Sequence, residues 1–192
     1  MKNKSTTTLF LALLLMVALP ACKGVANNSQ QSSDSTTVSQ QEIYQQKMLD
    51  NPASQVVDVA GILTTQDIDN LIVKTDELDS LNLAQVAIVT VNDLEGKAAL
   101  DFATDLANKW GVGHKATNDG ITIVIKPKTA DAKGEAAIAT GTGMEKLLSN
   151  EMCKRIIDEV MIPKFKENKY GEAIGDAIDK IKELLTQHRE TI

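Results

Sequence analysis

The sequence predicts a three-layer α/β/α sandwich, a central mixed sheet flanked by helices, and three observations carry that expectation. Two β-branched apolar runs, Gln85–Val91 (QVAIVTV) and Ile121–Ile125 (ITIVI), have strand length rather than helix length. Around them lie segments whose apolar residues recur at helical spacing. Strand and helix alternate, and there are helices enough to cover both faces of a sheet.

Each element follows from local signals. Val56–Ala60 is a short extended segment. Thr64 or Thr65 caps a helix running to Ser80, with Ile68, Leu71, Ile72, Thr75 and Leu78 on one stripe. After Gln85–Val91 a second helix spans Lys97 to Trp110. Its inner face is Ala99, Phe102, Ala103, Leu106 and Trp110, and Gly111 stops it. Asn118-Asp119-Gly120 is a turn into the strand Ile121–Ile125. Lys126–Gly134 is a polar loop, and Glu135–Thr140 returns antiparallel. Gly141-Thr142-Gly143 breaks the chain. Ser149 caps a helix carrying Cys153, Ile156, Ile157 and Val160, which Pro163 must kink or end. A final helix, Glu172 to Leu185, turns Ile174, Ala177, Ile178, Ile181 and Leu185 inward.

Ahead of this domain, set at residues 56–187, the composition changes twice. Lys2 and Lys4 precede an apolar run that closes on Leu19-Pro20-Ala21-Cys22. A run of about eleven apolar residues is too short to span a bilayer, which needs about twenty, so residues 1–21 read as a secretory signal. Their ending resembles the lipobox of bacterial lipoproteins, in which the cysteine, here Cys22, is diacylated and becomes the mature N-terminus. This places the protein in the cell envelope, held at a membrane and facing the periplasm or the exterior. Lys23, where an Asp would retain the protein in the inner membrane, favours the outer one. Residues 22–55 are rich in Ser, Gln and Thr and read as a disordered tether, with room for a marginal helix around Val38–Leu49 that would carry no chemistry.

Charge and cysteine usage narrow the function. The net charge is −6, and without residues 1–21, which hold Lys2 and Lys4 and no acid, eighteen bases oppose twenty-six acids. Such a surface has no electrostatic footprint for nucleic acid. The membrane is therefore reached through the lipid at Cys22, and the expected partner is a protein of the envelope bound by a monomeric domain. With Cys22 acylated, Cys153 has no partner for a disulfide. It lies on an apolar stripe, where a thiol packs as a small hydrophobe. His114 and His188 are too sparse to suggest zinc.

Chemistry-bearing motifs are few. Asp67-Ile68-Asp69 imitates a phosphatase nucleophile pair, but both acids fall in the first turn of a helix, where negative charge suits the macrodipole. Gly141-x-Gly143 lacks a third glycine, with Lys146 in its place, and no serine sits in a Gly-x-Ser-x-Gly elbow. What remains is a set of acids and amides beside chain breaks: Asp58, Asn92, Asp93, Asn118, Asp119 and Glu145. Turn chemistry alone accounts for each of them. Converging at one rim of the sheet, Asp58, Asn118, Asp119 and Glu145 would offer an oxygen-only shell suited to Ca²⁺ or Mg²⁺.

Several runs together resemble the TPM domain. They are Asp58-Val59-Ala60-Gly61-Ile62-Leu63, Trp110-Gly111-Val112-Gly113, Asn118-Asp119-Gly120, Gly141-x-Gly143-Met144-Glu145, and Ile162-Pro163-Lys164-Phe165 followed by Tyr170-Gly171. Two details depart from the family pattern: Asn118-Asp119 inverts the usual Asp-Asn order, and Thr142 stands where an aromatic residue is common. The resemblance implies an α/β/α sandwich and a secreted or membrane-tethered protein. Some members are described as binding Ca²⁺ and others as weak acid phosphatases. Together these imply a lipid-anchored accessory or interaction module that binds a divalent cation, with a weak metal-dependent acid phosphatase as the alternative.

Overall fold

The computed structural model describes residues 40–191, and each predicted strand is present within them. The signal segment, Cys22 and the rest of the expected tether up to Ser39 lie outside the described residues. Four strands form one sheet in the order β1 (Val56–Asp58), β2 (Gln85–Thr90), β3 (Gly120–Lys126) and β4 (Glu135–Thr140). The first three run parallel and β4 returns antiparallel to β3, so the sheet is mixed, as expected.

Side-chain alternation divides the strands between two cores. Val56, Val86, Ile88, Ile121, Ile123, Ile125 and Ile138 point to one face. Val57, Val89, Val124, Ala137 and Ala139 point to the other. The first face meets α2 (Thr65–Ser80), α4 (Asn150–Arg155) and α6 (Tyr170–Thr191), through Leu71, Leu78, Cys153, Ile174, Ile178 and Ile181. On the second, α3 (Ala99–Trp110) packs with Ala99, Phe102, Ala103 and Leu106. Large β-branched residues fill the face under many helices, while alanines on β4 leave room for α3 to approach closely.

The caps read from sequence are in place. Thr64 accepts the Asp67 N–H at 3.1 Å and the Asp67 carboxylate accepts the Thr64 N–H at 2.9 Å, a reciprocal capping box. Gly111 closes α3 in the left-handed conformation, at φ 66°. Ser149 caps α4. Pro163 does not end that helix abruptly. The backbone widens into a π-helical segment, Ile156–Met161, in which the Ile162 N–H bonds the Ile157 carbonyl five residues back, and then continues as α5 (Ile162–Phe165). The wider register answers the missing N–H of proline and the crowding of its ring against the preceding turn.

Strand order and helix placement fix the handedness of the connections. β1 to β2 and β2 to β3 step the same way across the sheet, yet α2 lies on one face and α3 on the other. The two crossovers therefore have opposite hands, and one departs from the right-handed rule.

One expectation is corrected here. Residues 40–50, assigned to the tether with at most a marginal helix, form helix α1 (Gln40–Asp50), which packs on the domain and buries Leu49 in the α3-side core. The Trp110 indole N–H donates to the Leu49 carbonyl at 2.8 Å, and Lys109 pairs with Asp50 at 2.5 Å. Trp110 is thus half-buried, under α1 rather than under the sheet. Composition misled because two adjacent apolar residues, Met48 and Leu49, placed beside a tryptophan, dock an otherwise polar helix. A chain starting at Gln40 should keep its native Trp110 emission, whereas one starting at Asn51 should shift to the red. Leu49→Ala should cost about 2 kcal/mol in chemical denaturation. Identical emission and stability in all three would show that α1 does not dock.

Candidate functional site

The parallel strands give the sheet two unlike edges. Asp58 closes β1 opposite Thr90, at the carboxyl edge, whereas Gln85 opens β2 opposite Gly120, at the amino edge. Five residues of β2 separate them, about 17 Å at strand rise. Asn118, Asp119 and Glu145 belong to the amino edge, because Asn118 and Asp119 lead directly into β3 and Glu145 follows the turn after β4. The four residues expected to share one rim therefore fall on two. A cation shell built from all four is not a property of this fold, and among the described residues no group of three His, Cys, Asp or Glu side chains is arranged to hold a metal ion.

Asp58 holds its own loop. Its carboxylate accepts the Ile62 N–H at 3.2 Å, the Leu63 N–H at 2.9 Å and the Thr90 hydroxyl. The Thr90 Oγ1 in turn accepts the Ala60 N–H at 3.0 Å. This ties the loop after β1 to the end of β2, with Asp58 as the acid that the clamp requires.

At the amino edge the backbone closes on itself. Gly141 N–H donates to the Gly120 carbonyl at 2.8 Å, and Gly143 N–H donates to the Asn118 carbonyl at 3.0 Å. A Cβ on Gly143 would sit 1.8 Å from the Thr117 carbonyl oxygen, and one on Gly120 would sit 2.2 Å from that of Val112. Both positions need glycine because three loops meet there, which is a packing reason and not a phosphate cradle.

Asp119 is only 5 % exposed. It accepts the His114 N–H at 2.8 Å, and both its oxygens lie 3.1 Å from His114 Nδ1. Burial pushes its pKa up, but the bonds from the His114 N–H, the Thr117 hydroxyl and the His114 ring outweigh this and hold it below the usual carboxylate value. The other ring nitrogen, His114 Nε2, stands 3.3 Å from Asp79 Oδ1 at the end of α2. His114 is thus flanked by two carboxylates, an arrangement the sequence does not signal because Asp79 lies far from it along the chain. Glu145 lies apart from this cluster, exposed beside an open cavity of about 420 Å³ lined by Thr104, Thr140, Ser149 and Glu151.

Two further side chains complete the survey. The Cys153 thiol is buried against the Leu148 carbonyl at 3.7 Å, and burial pushes its pKa up to about 11. This is the core role expected from its stripe. At the carboxyl edge, Ile125, Ile157, Ile162, Phe165 and Tyr170 wall an apolar cavity of about 270 Å³ with lysines at its mouth. Sequence reading assigned these residues to separate elements and did not foresee the cavity.

The family model for the TPM domain matches residues 56–184. The chain belongs to the TPM domain family. The N-terminal domain of a protein from P. gingivalis, solved by NMR, is 27% identical, with a TM-score of 0.62 over 71% of this chain and 84% of that one. The N-terminal domain of the cg2496 protein from Corynebacterium glutamicum is 10% identical, with a TM-score of 0.49 over 71% of this chain and 81% of that one. No curated protein matches. Helix α1 lies ahead of the matched TPM domain.

Within this TPM domain the runs that carry the resemblance are mainly loop closures. The first is clamped by Asp58, and the tryptophan run ends where the Gly113 N–H donates to Gln85 Oε1 at 2.8 Å. The glycine run interlocks with the Asn118 turn. Because the pKa of Asp119 is lowered on folding, its contribution to stability is present above the unfolded value, about 4, and is lost as pH falls through the lower folded value. Native chain should therefore lose melting temperature more steeply below pH 4 than Asp119→Asn does. Parallel curves would show that Asp119 is not coupled to folding.

Proposed function

We propose that the protein is an accessory module of the cell envelope. In this reading the TPM domain is held at a membrane through acylated Cys22, faces the periplasm or exterior, and works by binding a protein partner rather than by turning over a substrate. One observation carries it: three of the acids that catalysis or metal chemistry would recruit, Asp58, Asp67 and Asp119, are engaged by the chain's own donors. Asp58 is held by two backbone N–H groups and Thr90, Asp67 by its helix cap, and Asp119 by His114. The one thiol among the described residues, Cys153, is buried and has its pKa raised to about 11, the opposite of what a nucleophile needs. Calcium has no place in this proposal as a ligand of Asp58, Asn118, Asp119 and Glu145 together.

The reading is tested in the protein's own membrane. Cys22→Ser should release the chain from membranes or stall its processing, and it should abolish cross-linking to an envelope protein that the native lipoprotein captures. The native chain should not hydrolyse p-nitrophenyl phosphate with Ca²⁺, with Mg²⁺ or with chelator. Chelator-sensitive turnover that disappears in Asp119→Asn would overturn the proposal in favour of a weak metal-dependent phosphatase. In native protein at pH 8 the Cys153 thiol should resist maleimide, and labelling as fast as in denaturant would contradict its placement.

A further inference from the structure

The cavity at the carboxyl edge stands apart from the loop closures, and its lining is apolar side chains with lysines rather than backbone. At about 270 Å³ it has the volume of about nine liquid waters, enough for one large apolar side chain and too little for a long acyl chain. The Phe165 and Tyr170 rings, 5.1 Å apart between centroids, line it together with Ile125. Ile157 and Ile162 are brought into adjacent turns by the π-helical segment that Pro163 imposes.

Its mouth is cationic. Lys126 is paired with Glu135 at 3.1 Å, but among the described residues neither Lys128 nor Lys166 has an acidic partner. Two unpaired ammonium groups therefore border an apolar hole in a chain of net charge −6. Carboxyl ends of parallel strands are also where open α/β sheets place their ligands.

The sheet edge supplies a third component. The Gly141-to-Gly120 bond and the β3–β4 register make Thr122–Ala139, Val124–Ala137 and Lys126–Glu135 the hydrogen-bonded pairs. Ala136 consequently turns its N–H and C=O away from β3, beside the cavity it helps to line. An extended segment lying there can pair with it as an added strand.

We propose that this cavity receives the C-terminus of a partner polypeptide. The last side chain, large and apolar, enters between Phe165, Tyr170 and Ile162, its terminal carboxylate meets Lys128 and Lys166, and the preceding residue pairs with the Ala136 backbone. The outward backbone of Ala136 favours a polypeptide over a free acid, which has no main chain to pair with it. This inference rests on the partner-binding reading above and gives that reading a surface.

The test is an NMR titration of a chain beginning at Lys23, which contains the whole compact unit Val38–Ile192. The probe is the hexapeptide Gly-Ser-Gly-Ser-Ala-Phe with a free C-terminus. Saturable shifts at Ala136, Phe165 and Tyr170 are expected. Amidating the peptide, or making the Lys128→Ala/Lys166→Ala double variant, should weaken binding about tenfold, with the melting temperature unchanged. N-acetylphenylalanine should bind about tenfold more weakly than the peptide. Equal binding of acid and amide, shifts confined to another surface, no shifts at millimolar peptide, or equal binding of N-acetylphenylalanine would each overturn the proposal. Membrane cross-linking separates the two levels. A partner captured equally by the native chain and the double variant removes this site and leaves the module standing, whereas no capture by the native lipoprotein removes the module itself.

Discussion

Strand β3 is the constraint on which the rest of the molecule depends. It pairs on both sides, with β2 in parallel and β4 antiparallel, and residues Gly120 to Ile125 are all buried. Ile121, Ile123 and Ile125 serve one core and Val124 the other, so a shift of one residue would exchange the two faces. Register must be fixed at an end of the strand, and it is fixed at the amino end. Gly120 permits the close approach of Val112, and Gly141 and Gly143 lock the returning chain onto Gly120 and Asn118. The Asp119–His114 contact holds the same loop from the side. What looks from composition like a collection of polar residues at a site is, at this edge, the register clamp of the central strand.

That requirement explains why the two edges differ. The amino edge is crowded by glycine-mediated backbone contacts, leaving its buried carboxylate, Asp119, already bonded. The carboxyl edge has no such demand beyond the Asp58 clamp between β1 and β2, which acts at the far side of the sheet from β4. Between the β3–β4 loop and the π-helical turn the structure leaves a cavity lined by side chains instead of backbone. The helical layer follows from the same geometry. Helices α2 and α6 share a face and pair Lys74 with Asp179 and Lys182 with Glu77, each at 2.5 Å. These pairs are at least partly exposed, so they contribute little energy and mainly favour one alignment over others.

Legibility followed the range of the interactions. All four strands, the Thr64 and Ser149 caps and the Gly111 stop were readable because period, cap chemistry and left-handed glycine are local signals. The core role of Cys153 was readable for the same reason, being a position on a stripe. Asp58 was legible as an acid where a strand gives way to a loop, but its partner Thr90 lies on another strand, so the clamp it forms was not. The grouping of Asp58 with Asn118, Asp119 and Glu145 failed because spacing shows that a residue ends or begins a strand without showing which end of a parallel sheet that is. β1 carries Asp58 at its end, whereas β3 carries Asp119 before its start, and in a parallel arrangement these are opposite edges. His114 and Asp79 were invisible for a related reason, since one ends a helix and the other sits in a loop that only the folded chain brings beside it.

Helix α1 bears on how the domain would be held if Cys22 carries the anchor. Helix α1 begins at Gln40, so seventeen residues, 23–39, separate it from Cys22. Fully extended, seventeen residues reach at most about 60 Å. On the proposed anchoring, a span of that length would confine the domain to a shell near the membrane and raise the effective concentration of any partner fixed in the same membrane. Weak contacts would then suffice. A small cavity with two exposed lysines, which would bind only loosely between freely diffusing molecules, would be adequate if anchor and partner shared a surface. On the two proposals taken together, tether length and a modest binding site would be matched properties of one chain.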